Sequence, residues 1–322
     1  MTRKFRSLAK LAACLAIGQV LMPAFTSSLS AGSRDNLATS GAQFLKLGVN
    51  ARAIAMGEAY SSVADGSDGL YWNPASLARV EGKSLSLMHA VYFQSIFYDY
   101  ASYAHQLGSL GTFGLGVQYL NAGAIDETDE FGNNAGSFRP QDLAVTFGWA
   151  REIREWDSDV PFLFGVSGKF IRSRIIETAS TGAFDVGLSY KPVARLRLGL
   201  AGQNLGPKLK FKNESDSLPM NIKLGSSYEA TPFWTIAADL NVPRDNDLNA
   251  AFGTEYRLSA GGESQIAGRL GYQTRSAADL SDGISSVSAG VGYGWGPYDV
   301  DFAWAPFGDL GNTYRISFSG KF

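Results

Sequence analysis

The sequence predicts an all-β fold: a transmembrane antiparallel β-barrel of about fourteen strands, preceded by an N-terminal plug or hatch segment. Three observations carry this prediction. From about Lys83 to Phe322 apolar and polar residues alternate with the period of a two-faced strand. The connections between these strands alternate between short and long along much of the chain. Tryptophans gather near predicted strand ends on the apolar face, where amphipathic rings favour the headgroup level of a bilayer.

Composition narrows the function classes. The 322 residues carry 28 Lys+Arg against 30 Asp+Glu, a net charge of −2, so no nucleic-acid partner is expected. The single cysteine, Cys14, excludes an intrachain disulfide framework and any multi-cysteine metal site. Two histidines, His89 and His105, leave little for triad chemistry, and no metal or cofactor is expected. Apolar residues make up 45%, too many for a disordered chain.

Residues 1–30 read as a secretory signal. Arg3, Lys4, Arg6 and Lys10 form its basic start, and Leu11 to Met22 its apolar run, too short for a bilayer-spanning helix of roughly 20 residues. Thr26, Ser28 and Ser30 offer small residues for cleavage, and losing the four cations takes the net charge from −2 to about −6. Leu11-Ala12-Ala13-Cys14 resembles a lipoprotein box, but only three apolar residues precede the cysteine, so Cys14 is read as part of the signal. Residues 31–82 form the expected hatch or plug, and 83–322 the barrel. With no long apolar run after the leader, any crossing of a membrane must use strands.

The strands follow in order, centred on Leu87, Tyr100, Val117, Val145, Val166, Val186, Leu198, Leu224, Ile236, Phe252, Leu270, Val291, Phe302 and Ile316. In the strand around Phe302, Tyr298, Val300, Phe302 and Trp304 share one face, with Asp299, Asp301 and Ala303 on the other. In the last strand Tyr314, Ile316, Phe318 and Phe322 oppose Arg315, Ser317, Ser319 and Lys321. The same parity sends Asp185, Arg195, Arg197, Lys223, Asp239, Glu255, Arg257, Arg269, Asp299 and Asp301 towards the lumen. An Arg or Lys on the lipid face would cost roughly 2–4 kcal/mol at the midplane, so the pattern keeps charge inside. Mixed signs argue for a packed or plugged lumen rather than an ion-selective pore.

A soluble sandwich also alternates, but its strands recur every 8–12 residues, whereas these recur every 17 or so. Short connections are 108–111, 191–194, 230–232, 260–263 and 296–297; long ones are 123–140, 204–218, 241–247, 274–283 and 305–311. Outer-membrane barrels pair short periplasmic turns with longer outer loops, which places both barrel ends on the periplasmic side. Residues 151–160 break the rule, being long where a short turn is expected. Trp149, Trp234, Trp295 and Trp304 mark strand ends, and Phe322 with Phe318, Ile316 and Tyr314 resembles the C-terminal assembly signal of bacterial outer-membrane barrels.

The hatch segment is rich in small residues and turns. Gly57, Asp65-Gly66 and Asp68-Gly69 mark chain reversals, and Asn73 before Pro74 suits an N-cap opening a short helical turn over Ala75 to Arg79. Phe44-Leu45, Ala51-Arg52-Ala53, Met56-Gly57, Ala59-Tyr60, Ala64-Asp65 and Trp72-Asn73-Pro74-Ala75 together resemble the N-terminal signature of the PorV/PorQ family, a branch of the FadL-like outer-membrane barrels. The resemblance implies a fourteen-stranded barrel with an N-terminal hatch to which Asn73, Pro74 and Ala75 belong, with Met56, Gly57 and Trp72 in the same signature. It implies residence in the bacterial outer membrane, after contact with the barrel-assembly machinery. Exported proteins or a larger secretion barrel are the implied partners, as in type IX secretion. The alternative it implies is a passive conduit for hydrophobic small molecules.

Signals for catalysis are weak, and no enzyme is expected. Gly165-Val166-Ser167-Gly168 and the glycines 111, 114 and 116 lie in strand patterns rather than strand-to-helix turns. Asp126, Glu127, Asp129 and Glu130 lack the spacing of an EF-hand loop and read as a solvated outer loop. Tyr71 and Trp72 read as packing between plug and wall.

Overall fold

The computed structural model describes residues 40–93, 95–153, 162–212, 214–274, 286–307 and 311–322. The signal expected at 1–30, with Cys14, and most of the anomalous connection at 151–160 lie outside the described residues.

The alternating segments form β1 (Lys83–Val91), β2 (Phe97–Gln106), β3 (Thr112–Asn121), β4 (Ile125–Thr128), β5 (Asn134–Phe138), β6 (Gln141–Ile153), β7 (Phe162–Arg174), β8 (Thr178–Val193) and β9 (Leu196–Leu205). They continue as β10 (Leu209–Phe211), β11 (Glu214–Asp216), β12 (Asn221–Thr231), β13 (Trp234–Pro243), β14 (Asn249–Gly261), β15 (Ser264–Gln273), β16 (Val287–Trp295), β17 (Tyr298–Pro306) and β18 (Asn312–Lys321). Fourteen of them close one antiparallel barrel; β4 with β5, and β10 with β11, are separate hairpins in two of the long loops. Closure comes from β1 pairing β18 over Ser84↔Lys321 to Val91↔Tyr314. A closed ring leaves no strand edge in hydrocarbon, where an unpaired backbone group costs several kcal/mol. The even count sets Lys83 and Phe322 at the same rim, where they exchange two backbone hydrogen bonds at 2.9 Å. That rim carries the short turns, and the opposite rim the long loops.

Alternation fixes the faces. In β18 Thr313, Arg315 and Ser317 are buried while Tyr314 and Ile316 face outward. The same split holds in β15, with Arg269 buried and Ile266, Leu270 and Tyr272 outside. β8 is 16 residues long, and its outward positions near the long-loop rim are Thr178, Ser180 and Gly182, so it rises past the apolar band. Register shifts between Phe184 and Val186 where β8 meets β9. There the Asp185 carboxylate accepts the Asn204 backbone N–H at 2.7 Å, replacing a lost ladder bond.

With the apolar side chains of the wall turned outward, the buried core forms between the wall and the hatch, residues 40–82. This segment runs through a 3-10 turn at Gln43–Lys46, α1 (Ala51–Ala55), α2 (Gly69–Trp72) and a 3-10 turn at Pro74–Arg79. Phe44, Leu45, Val49, Ile54, Met56, Tyr60, Leu70, Trp72 and Leu77 are all buried inside the ring. The lumen is therefore plugged. The Asp68-Gly69 pair opens α2 rather than a simple reversal.

Arg195 is the exception among the expected lumen charges. It sits at the tip of the β8–β9 turn, exposed, with β9 starting one residue later. Its guanidinium reaches along the rim to the Ala230 carbonyl at 3.4 Å. The turn sits one residue later than the 191–194 expected: β8 runs on to Val193, and Ala194 with Arg195 makes the reversal, so Arg195 leaves the strand it was assigned to.

Candidate functional site

The candidate site is the contact between hatch and barrel wall. It begins at Asn50, whose side chain caps α1 by accepting the Arg52 N–H at 2.9 Å. The cap aims Arg52 at the wall. Arg52 Nε and Nη2 donate to Glu255 Oε2 and Oε1 at 2.8 and 2.9 Å, and Nη1 lies 3.4 Å from Asp65. Glu255 also accepts from Arg257 at 2.9 Å and from its cross-strand neighbour Arg269 at 2.6 Å. Arg269 in turn donates to Asp301 at 2.6 Å. Three arginines thus meet three carboxylates. Buried ions are tolerated only when paired and hydrogen-bonded, and through Arg52 this network ties the hatch to β14.

Around the ring other hatch residues make separate attachments. Asp239 on β13 accepts the N–H groups of Tyr60 and Ser61 at 3.3 and 2.9 Å. Lys223 on β12 sets its ammonium 4.4 Å from the centre of the Trp72 ring, a cation–π contact. Trp72 itself donates to the Val49 carbonyl at 3.1 Å. Met56 and Gly57 press on β14 and β15 so closely that a methyl group on Gly253 or Gly271 would collide with their backbone. Gly57 also has φ +63, which favours glycine.

Asn73 joins cap and wall. Its Oδ1 accepts the Ala75 N–H at 3.1 Å, opening the 3-10 turn, while Nδ2 donates to Leu188 and Ser61 carbonyls at 3.1 and 3.2 Å. Pro74 and Ala75 touch the wall where Gly165 and Gly187 leave room for them. Arg79 ties the end of this turn to the Ser62 and Ala64 carbonyls at 3.0 and 2.7 Å.

Of the sequence-predicted lumen charges, Lys223, Asp239, Glu255, Arg257, Arg269 and Asp301 meet the hatch or its network. Asp185 pairs instead with Lys169 at 2.9 Å within the wall. Arg197 pairs with Glu229 at 2.8 Å near the short-turn rim, and Asp299 is half-buried at that rim. Asn73, Pro74, Ala75, Met56, Gly57 and Trp72 are all buried in the hatch, while Tyr314, Ile316, Phe318 and Phe322 face outward.

Two participants, Lys169 and Asp245, carry no mark in the sequence, and a third, Arg52, carries no mark of its own. Lys169 shares the inward parity of Ser167 and Ile171 but was not singled out. Arg52 was visible only as part of a motif. Asp245, in the β13–β14 loop, holds Lys46 at 2.7 Å and Gln43 at 3.0 Å. Burial opposes its charge, but the hydrogen bonds from Lys46 and Gln43 prevail and hold the carboxyl below its usual range.

Asn204, Asn221, Asn241, Asn246 and Asn249 line a small cavity of about 50 Å³ beside the hatch at the long-loop rim. At the short-turn rim a recess of about 830 Å³ is lined by Asp65, Arg79, Glu81, Arg197 and Lys321 among others. Asp129 closes the β4–β5 hairpin, accepting N–H groups of Phe131 and Asn133 at 2.9 and 2.8 Å.

A family model described as "Type IX secretion system protein PorV" matches residues 30–243. No curated protein matches. Among solved structures, the toluene transporter TbuX of Ralstonia pickettii is 15% identical with a TM-score of 0.54, covering 85% of this chain and 98% of its own. The Pseudomonas putida toluene transporter TodX is 12% identical at TM-score 0.56, covering 84% and 96%. A Pseudomonas aeruginosa FadL homologue is 9% identical at TM-score 0.51, covering 85% and 98%. At these identities the likeness is one of fold.

Proposed function

The chain belongs to the PorV family of type IX secretion system proteins, and from that membership we propose that it handles or anchors exported proteins at the bacterial outer membrane. Exported proteins and a larger secretion barrel are the proposed partners, and no catalytic role is assigned. One observation carries the reading beyond family membership: the hatch fills the lumen and is fixed to several strands of the wall. Arg52 is held by Glu255, Asn73 by Leu188, and Tyr60 and Ser61 by Asp239. A barrel filled in this way presents its rims and outer wall, rather than a bore, to other molecules.

A conduit for hydrophobic small molecules is the second reading, favoured by the fold shared with the two toluene transporters. It calls for an apolar cavity beside Asn73-Pro74-Ala75 and a gap in the wall. Those three residues are instead in contact with β7 and β8, and the ring of paired strands is closed.

The test is a deletion strain. Loss of exported proteins from the medium, with normal uptake of long-chain lipids and aromatics, is the expected result. Normal export with impaired uptake reverses the ranking of the two readings. Co-purification from mild detergent, beside a positive control, identifies the partner barrel or cargo.

A further inference from the structure

Among the described residues, the other ion pairs of the barrel lie inside the lumen, at its rims or in loops. One does not. His89 on β1 and Asp99 on β2 are register partners on the outward face, joined from Nδ1 to Oδ1 at 2.6 Å. Both are about half exposed, 51% and 42%. Asp99 Oδ2 and His89 Nε2 have no partner among the described residues. Along β1 the pair is flanked by Leu87 and Val91, and along β2 by Phe97 and Ala101. Ile316 lies opposite His89 on β18, and Tyr119 opposite Asp99 on β3. An ionisable pair inside an apolar band is costly against hydrocarbon, and two of its hydrogen-bonding atoms stay unused there. The surface is also dented. Leu87, Ala101, Val117 and Ile316 surround the pair in a recess of about 530 Å³ on the outside of the wall.

We propose that the outward face of β1 and β2 around His89 and Asp99 is a docking surface for a second integral outer-membrane protein, one that inserts an N–H donor or a cation into this recess. The charge fixes the chemistry of the occupant: Asp99 Oδ2 accepts from the partner, and the surrounding apolar residues replace lipid with protein of similar polarity. Such a contact stabilises through its polar centre, since burying apolar surface gains little inside a bilayer. The inference rests on the proposed secretion role only for the identity of the assembly.

The experiment uses the full-length protein in its native membrane. His89→Leu with Asp99→Leu removes both polar groups and suits lipid better than the natural pair, so heat-modifiable mobility stays normal. On native gels of mild-detergent extracts, the natural protein is expected in a larger species and the double variant at the size of the free barrel. A photo-crosslinking residue at Ala101 is expected to give a discrete adduct, identified by mass spectrometry as another β-barrel protein. The Leu variants should cut its yield by about tenfold, the equivalent of ~1.4 kcal/mol. The same probe at Leu224, across the barrel, should give none. An unchanged native size in the double variant overturns the proposal, as does an adduct with lipid alone or with a second copy of this chain. A deletion strain that exports normally sinks the secretion role, while the gel and crosslinks still judge the surface.

Discussion

Arg52 and Glu255 stand 203 positions apart and meet through two parallel hydrogen bonds, Nε to Oε2 at 2.8 Å and Nη2 to Oε1 at 2.9 Å. The forked geometry joins the first helix of the hatch to β14. Glu255 accepts from Arg257 and Arg269 as well, so it is the centre of the cluster and Arg52 one arm. Arg52→Gln is expected to destabilise the folded barrel by about 3–5 kcal/mol, the usual cost of breaking a buried pair. Glu255→Gln should cost more, because it leaves three arginines around a neutral amide. Unfolding midpoints from heat-modifiable mobility test the order, and single-channel recordings test whether a loosened hatch lets ions through.

Asn73 uses its oxygen to cap and its amide to hold the wall. Asn73→Ala should cost about 1–3 kcal/mol through the lost hydrogen bonds. Asn73→Asp keeps the capping oxygen but turns a carboxylate towards the Leu188 and Ser61 carbonyls. It is expected to be worse than alanine, and a denaturant titration of the two variants decides.

Gly271 lies under Gly57 with no room for a side chain. Gly271→Leu is expected to push the hatch off β15 while leaving the outer face of that strand unchanged. Protease digestion of the folded variant should then cut within 40–82, where the buried hatch of the natural protein is expected to resist.

The Asp245 contact with Lys46 and Gln43 should depend on acid. A carboxyl whose folded pKa is depressed stabilises the fold at pH values above its unfolded pKa, about 3.9. That contribution is lost as pH falls through the lower, folded value. Proteolysis near residue 46 is therefore expected to rise below about pH 4. Asp245→Asn should show the faster cleavage already at neutral pH, with a flatter acid response.

Phe322 faces outward beside Tyr298, 5.8 Å between ring centres, while its backbone pairs with Lys83 at the seam of the barrel. Phe322→Asp is expected to leave the chain unassembled, and Phe322→Tyr to assemble. Normal heat-modifiable mobility of the Asp variant contradicts the role given to this side chain.

The alternation of Val300, Phe302 and Trp304 with Asp299, Asp301 and Ala303 was enough to read the ring, its strand number and the inward side of its charges. That legibility has a simple cause. Hydrocarbon outside and polar groups inside act on every second residue, so the pattern is local and repeats in each strand. Arg195 escaped it because a tight turn has no such period. The Asn-Pro pair marked its own 3-10 turn for the same local reason.

What the sequence by itself determined, then, is the barrel and the presence of a plug; which charge meets which was decided only by tertiary structure. Nothing near Arg52 in the chain names Glu255 as its partner, and Asp185 looks like Asp239 until one is found holding Lys169 and the other the hatch backbone. Closure of the ring places residues hundreds of positions apart across one narrow lumen. There the cost of an unpaired charge selects among contacts that no local pattern encodes.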